Sequence, residues 1–217
     1  MSERETASTP EKAQRGRPRE FDRAAALSKA LKLFWEQGYM QTTMVQLCEA
    51  MGIKSPSLYC AFGCKADLFL EAITYYKRTY WHDAFVAYLA SKSIFKGTRE
   101  LYAETARILL LPDAPCGCLT VFSALTLPPG EDKILSKIQE MREKTKNVFR
   151  TRLERAVDEG ELREDINIEA LMGALVNFFE GLTLQARDKN MSLEDLREIA
   201  LQGVALLGVP AENNYSA

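Results

Sequence analysis

Leu27, Ala30, Leu31, Phe34 and Trp35 recur at intervals of three and four, the spacing that gathers apolar side chains on one face of an α-helix. Asp22 is the predicted N-cap of this first helix, and Gly38 its predicted stop. Thr42 and Thr43 open a second, short helix through Val45, Leu47, Cys48 and Met51, closed by Gly52. Ser55 is expected to cap a third, with Pro56 at its first position and its end near Phe62 and Gly63. From Lys65 a helical pattern through Leu68, Phe69, Ile73, Tyr76 and Tyr80 runs into the nineties without Gly or Pro. Further helices are predicted over 98–111, 118–125, 134–159, 168–189 and 193–207, and no segment alternates as a strand. The 134–159 helix has one apolar stripe with Lys and Arg opposite. Over 170–184 the apolar residues point nearly all round, so that helix needs cover on more than one side.

With 47% hydrophobic and 27% charged residues, the 217-residue chain has the composition of an ordinary globular protein. Its longest uncharged stretch, 114–130, is broken by Pro115, Pro128 and Pro129, so no membrane span and no membrane partner are expected. The acidic start lacks the apolar run of a secretory signal, which points to the cytoplasm. Five cysteines without paired CxxC arms, and a single histidine, His82, argue against a metal site, a cofactor or hydrolytic chemistry, so no catalytic residues are expected. The net charge of −2 is uneven: residues 1–65 carry +3 and residues 66–217 carry −5. Phosphate binding needs only local positive charge, and Lys12, Arg15, Arg17 and Arg19 supply it with no acid between them.

Leu47, Cys48, Met51, Gly52, Ile53, Leu58 and Ala61 fall at the packing positions of a helix-turn-helix, with a small residue four before the turn glycine and Leu58 closing the small core. On spacing alone an ordinary corner between two helices gives the same pattern.

The runs Gly38-Tyr39-Met40-Gln41-Thr42-Thr43-Met44, Leu47-Cys48-Glu49-Ala50-Met51-Gly52-Ile53, Ser57-Leu58-Tyr59-Cys60-Ala61-Phe62 and Lys65-Ala66-Asp67-Leu68 resemble the DNA-binding half of a TetR-family repressor over about fifty residues. The resemblance implies an all-α homodimer with a basic arm over 1–19, a three-helix helix-turn-helix DNA-binding domain over 20–66, and a helical ligand-binding and dimerisation domain over 67–217. It implies a transcriptional regulator, a repressor released from a pseudo-palindromic operator by a small apolar or aromatic inducer. Two positions depart from the usual family pattern: Ala61 stands where many members have His or Tyr, and Cys64 where many have Ser or Asn.

The DNA contacts expected are Thr43 at a helix N-terminus, Lys54, Ser55, Ser57 and Tyr59 on the recognition helix, Lys65 as a phosphate lysine, and Arg15, Arg17 and Arg19 in the arm. Tyr76, Trp81, Phe85, Tyr102, Phe122, Phe178 and Phe179 are candidates to line a ligand cavity, although aromatics at helical spacing ordinarily pack a core. Leu171, Leu175, Phe179, Leu196, Ala200, Gly203 and Val204 are candidates for the dimer interface. Cys116 and Cys118, just before a helix, form a candidate thiol switch, since similar cysteines sense electrophiles or oxidants in some TetR relatives. Two other classes stay open: a redox-sensing repressor acting through that pair, and a helical ligand carrier with no DNA role.

Overall fold

The computed structural model describes residues 21–208, and these form ten α-helices with no strand among them. Helix α1 (Arg23–Gln41) starts where the Asp22 carboxylate accepts from the N–H groups of Ala24 and Ala25 at 2.9 and 3.1 Å. Its regular course breaks at Gly38, where φ is 78°, a region glycine enters without steric cost; the buried Thr42 hydroxyl donates to the Gly38 carbonyl at 2.7 Å. Helix α2 (Met44–Met51) begins with a reciprocal cap: Thr43 Oγ1 accepts from Gln46 N–H at 3.2 Å and Thr43 N–H donates to Gln46 Oε1 at 2.8 Å. Gly52, with φ 70° and ψ 32°, ends it in the left-handed region.

Helix α3 (Ser55–Phe62) differs from expectation at its start. Lys54 occupies the cap, because its carbonyl takes the first helical bond, from Leu58 N–H at 3.0 Å; Ser55 is then the first helical residue and Pro56 the second. No N–H in a first turn has an intrahelical partner, so proline fits the second position as well as the first.

Helix α4 (Lys65–Tyr76) continues into α5 (His82–Ala90) through one π turn, Lys77–Trp81, so the unbroken helical pattern holds with an insertion inside it. α4 packs along α1, with Phe34 edge-on to Phe69 at 4.9 Å and Trp35 edge-on to Tyr76 at 4.8 Å. Helix α6 (Ile94–Leu109) starts four residues earlier than the apolar pattern indicated, at a cap made by Ser93. α7 (Leu119–Thr126) and the long α8 (Asp132–Asp158) follow, then α9 (Ile168–Gln185) and α10 (Leu193–Gln202), the last running into a 3₁₀ turn over Gly203–Leu207.

α9 is a core helix whose Leu175, Val176, Phe179 and Leu182 are buried within the subunit. Six of the seven residues expected at a partner interface are accordingly covered by their own chain. Leu171, Leu175, Phe179, Leu196, Ala200 and Gly203 are all buried against their own chain, and Val204 is half-buried. Gly203 is small for an internal reason: a Cβ there would sit 2.4 Å from the Phe178 ring and 2.5 Å from that of Tyr102. Periodicity marks an apolar face without saying whether the same chain or another covers it.

One charged group lies in the core. Arg152 is fully buried and donates to Glu161 Oε1 at 2.6 Å, while Glu161 Oε2 accepts from Ile94 N–H at 2.7 Å at the start of α6. The carboxylate thereby holds together the end of α8 and the first turn of α6.

Candidate nucleic-acid interface and ligand cavity

The second and third helices hang on four buried side chains, Leu47, Met51, Leu58 and Phe62, and everything polar on α3 faces outward. Lys54, Ser55 and Tyr59 are exposed and Ser57 is half-buried. Tyr59 shows 51% of its surface, a large aromatic left in water beside a buried Leu58. On α2, Val45 is 67% exposed, an apolar surface position that the sequence reading missed. The Thr43 hydroxyl is occupied, donating to Gln46 Oε1 at 3.0 Å, so the groups α2 offers an anion are the N–H groups of Met44 and Val45 in its first turn. Arg15, Arg17 and Arg19 lie outside the described residues.

Lys65 is placed differently from a plain surface lysine. Its ammonium sits 4.3 Å from the centre of the Tyr39 ring, and burial lowers its pKa. The Tyr39 hydroxyl donates to Glu131 Oε1 at 3.0 Å, just before α8, and burial followed by that carboxylate holds the phenol well above its ordinary value. Beside it, Lys133 pairs with Asp67, which also accepts from the Cys64 thiol at 3.0 Å and from Cys64 N–H at 3.3 Å. These bonds hold the Asp67 carboxyl down at about 2, the Lys133 bond weighing most. A third link crosses the same seam: Trp35 Nε1 of α1 donates to the Gly117 carbonyl. Helices α1 and α4 are therefore bonded to the helical body at the start of α8 and at the loop before α7.

A cavity of about 420 Å³ lies between the α4–α5 helix and α8, within the size range of small-molecule sites. Of the seven aromatic candidates, Trp81 and Phe85 line it. Phe179 stands behind them, 5.1 Å from Trp81 and 5.9 Å from Phe85, and Tyr76 is buried 6.5 Å from Trp81. The other three are elsewhere and belong to packing. Tyr102 donates to the Leu175 carbonyl at 2.9 Å and packs on Phe178; Phe122 lies under the Arg187 guanidinium at 4.1 Å. Lys77 in the cavity wall was missed, although its signal is in the sequence: a cation at four-residue spacing between Ile73 and Trp81 interrupts an apolar stripe.

Cys116 is exposed and Cys118 is buried, with its sulfur 3.1 Å from Thr120 Oγ1. Gly117 between them has φ 85° and its N–H donates to the Leu109 carbonyl at 2.9 Å, so the loop is fixed at both α1 and α6. On the outer side of α9, Ala170, Ala174, Asn177 and Leu184 form an exposed stripe at helical spacing, and a Cβ added at Gly173 or Gly181 meets nothing within 4 Å. Leu125 of α7, 70% exposed, and Ile199 of α10 add apolar surface outside the core.

A short helix that buries one face on its own subunit and presents cation, hydroxyls and an aromatic ring on the other, following a glycine turn, defines a DNA-binding helix-turn-helix protein. The comparisons specify the class. Residues 26–72 match the family model for bacterial regulatory proteins of the tetR family, and residues 98–198 match the tetracyclin repressor-like C-terminal domain. The chain is 34% identical over 194 residues to the HTH-type transcriptional repressor ComR of Escherichia coli strain K12, spanning 87% of this chain and 90% of that one. It is 32% identical over 157 residues to the uncharacterised HTH-type regulator YezE of Bacillus subtilis strain 168, spanning 72% and 81%. Its structure superposes with a TM-score of 0.82 on a cysteine-substituted variant of the TetR-family regulator CifR complexed with 26-base-pair operator DNA, at 33% identity over 87% of this chain and 98% of that one.

The chain belongs to the TetR family. It is a DNA-binding transcriptional regulator and not an enzyme, which removes the ligand-carrier alternative. No helix among the described residues is long and apolar enough to cross a membrane.

Proposed function

We propose that this regulator is a cytoplasmic repressor that binds a pseudo-palindromic operator as a homodimer and leaves it when a small molecule fills the cavity between the α4–α5 helix and α8. The observation that carries the reading is α3 itself. Leu58 and Phe62 anchor it while Lys54, Ser55, Ser57 and Tyr59 stand outward, where Lys54 suits guanine, the serines suit bases or phosphates, and Tyr59 suits a phosphate or a thymine methyl. Dimerisation through the small-residue stripe of α9, with α10 and α7 beside it, would set two copies of α3 about 34–36 Å apart, one DNA turn. The named relatives support repression, since ComR is described as a repressor and CifR is seen on operator DNA.

The experiment is selection of bound fragments from genomic DNA, followed by gel shift on the recovered site and light scattering of the free protein. A symmetric site bound by a dimer is the expected result. A monomer at micromolar concentration, or bound sites without two-fold symmetry, would overturn it.

A second input is favoured by one observation, the hydrogen bond from Trp35 to Gly117 between Cys116 and Cys118. Modification of the exposed Cys116 would disturb a loop that is bonded directly to α1. Treatment with diamide is expected to weaken operator binding, and Cys116→Ser to resist it; equal sensitivity of Cys116→Ser and Cys118→Ser would count against this input.

A further inference from the structure

The ligand cavity has an uneven chemistry. Its walls are apolar, with Trp81, Phe85, Met141 and Val148 among them, yet the charged side chains that line it are all basic and none is a carboxylate. Two of those bases, Lys137 and Lys144, are engaged with Glu140 on the outside, at 2.8 and 2.6 Å. Lys77 is not engaged in this way. It makes no ion pair among the described residues; its ammonium lies 5.6 Å from the centre of the Trp81 ring and 5.4 Å from that of Phe85, with a single 3.5 Å hydrogen bond to Thr145 Oγ1. The acidic groups that reach it are the buried Cys118 thiol and, more weakly, Glu180, which is held by Arg142 in two hydrogen bonds of 3.0 and 2.7 Å.

A cation placed in an apolar wall without a counter-ion costs free energy that a bound anion would recover, and an ammonium has three donors of which Thr145 takes one. Burial lowers the Lys77 pKa and outweighs the acidic groups that raise it, so the charged form is held at a cost in this wall.

We infer that the cavity takes a small monoanion with an apolar body, an aryl or alkyl carboxylate, whose carboxylate meets Lys77 Nζ while its body lies against Trp81 and Phe85. Arg78 and His82 also line the cavity but are exposed to water, which leaves Lys77 as the half-buried cation of the wall with no ion pair among the described residues; it matches one negative charge, and apolar walls exclude a polyanion whose other charges would stay unpaired. The inference rests on the reading of this cavity as the inducer site and specifies its ligand. It also places that ligand on the π turn. Lys77 and Trp81 are the two ends of the π turn, and Trp81, Tyr76 and Trp35 form a chain of rings, spaced 6.5 and 4.8 Å, that ends on α1 of the DNA-binding unit. A carboxylate that draws Lys77 toward itself acts at the point where the helix is least regular.

The test is calorimetric titration of the full chain with 2-naphthoate and with its neutral counterpart 2-naphthamide, repeated on Lys77→Met and Lys77→Arg, with gel shift run in parallel. The acid is expected to bind wild type about tenfold or more tightly than the amide, the gain of a charge-assisted hydrogen bond in a dry site. Lys77→Met is expected to erase that preference and Lys77→Arg to keep it. Equal affinity for acid and amide, or no binding of either, overturns the inference; the comparison on wild type decides this even if a variant fails to fold. Preferential binding of the acid without release of operator supports the anion site and overturns the inducer reading, so the two fail separately.

Discussion

Trp35 Nε1 in α1 donates a 2.9 Å hydrogen bond to the carbonyl of Gly117, 82 residues further along the chain. Both partners are fixed from behind. Trp35 is wedged between Tyr76 and Tyr80, with ring centres at 4.8 and 5.1 Å, and Gly117 cannot be replaced freely because its φ is 85° and a Cβ would sit 2.8 Å from the Phe122 ring. Trp35→Phe keeps most of the ring packing and removes the donor. The expected cost is about 2–4 kcal/mol, combining an unpaired buried carbonyl with a small void. Urea denaturation measures it, and a change below about 0.5 kcal/mol would show that the seam is held elsewhere.

Tyr59→Ala is expected to abolish operator binding while leaving the melting temperature unchanged, because the ring is half in water and makes no hydrogen bond among the described residues. The neighbouring Leu58→Ala should do the reverse of a clean binding mutant, unfolding the helix pair at a cost of about 2–5 kcal/mol. Undiminished gel shift with Tyr59→Ala removes the ring from the groove.

Two glycines separate packing within the subunit from packing between subunits. Gly203→Ala meets Phe178 and Tyr102 at 2.4–2.5 Å and is expected to destabilise each subunit by about 1–3 kcal/mol. A Cβ at Gly181 meets nothing within 4 Å, so with Gly181→Ala the subunit fold is expected to hold while sedimentation shows a weakened dimer. A dimer unaffected by Gly181→Ala would move the partner contact off the α9 stripe.

Removing the partner of the buried Arg152 leaves an uncompensated charge. Glu161→Gln is expected to cost about 3–5 kcal/mol in denaturant unfolding, with early loss of the first turn of α6, whose Ile94 N–H loses its carboxylate acceptor. Protection of that amide in hydrogen exchange reports the second effect.

Asp67 titrates at about 2, chiefly because Lys133 donates to it. Its pKa is depressed in the folded state, so its contribution to stability is full above the ordinary value of 3.8 and disappears as pH falls through about 2. Lys133→Ala is expected to return the Asp67 midpoint toward 3.8 in a carboxyl-detected NMR titration; an unmoved midpoint would assign the depression to Cys64. Both side chains are on the surface, so the effect on global stability is small.

The DNA-reading end of the molecule was legible because its decisive features are local. Thr43 with Gln46, Gly38 and Gly52 each fix a backbone conformation within four residues, and the sequence displays them directly. The start of α3 was read one residue late, since a serine before a proline looks like a cap wherever the carbonyl bonding is unseen. Along α9 the apolar pattern does not tell which residues face outward. Leu171, Leu175 and Phe179 are more apolar than Ala170, Ala174 and Gly181, yet the larger residues fill the core and the smaller ones face outward. The cavity was half legible: Trp81 and Phe85 share a helix, but α8 opposite them, and the isolation of Lys77, depend on contacts some seventy residues apart.

The π turn between α4 and α5 amounts to one surplus residue spliced into a rod. Each residue of a regular α-helix advances about 100°, and the π turn absorbs its extra residue by widening; wound as plain α-helix, the same sequence over 77–81 would carry everything beyond it round by close to that angle relative to α4. Trp81 and Phe85 would then leave Phe179, and the rod would become regular at the cost of its cavity wall. The irregularity thus records a compromise, in which the same stretch of chain satisfies two neighbours whose preferred angles differ.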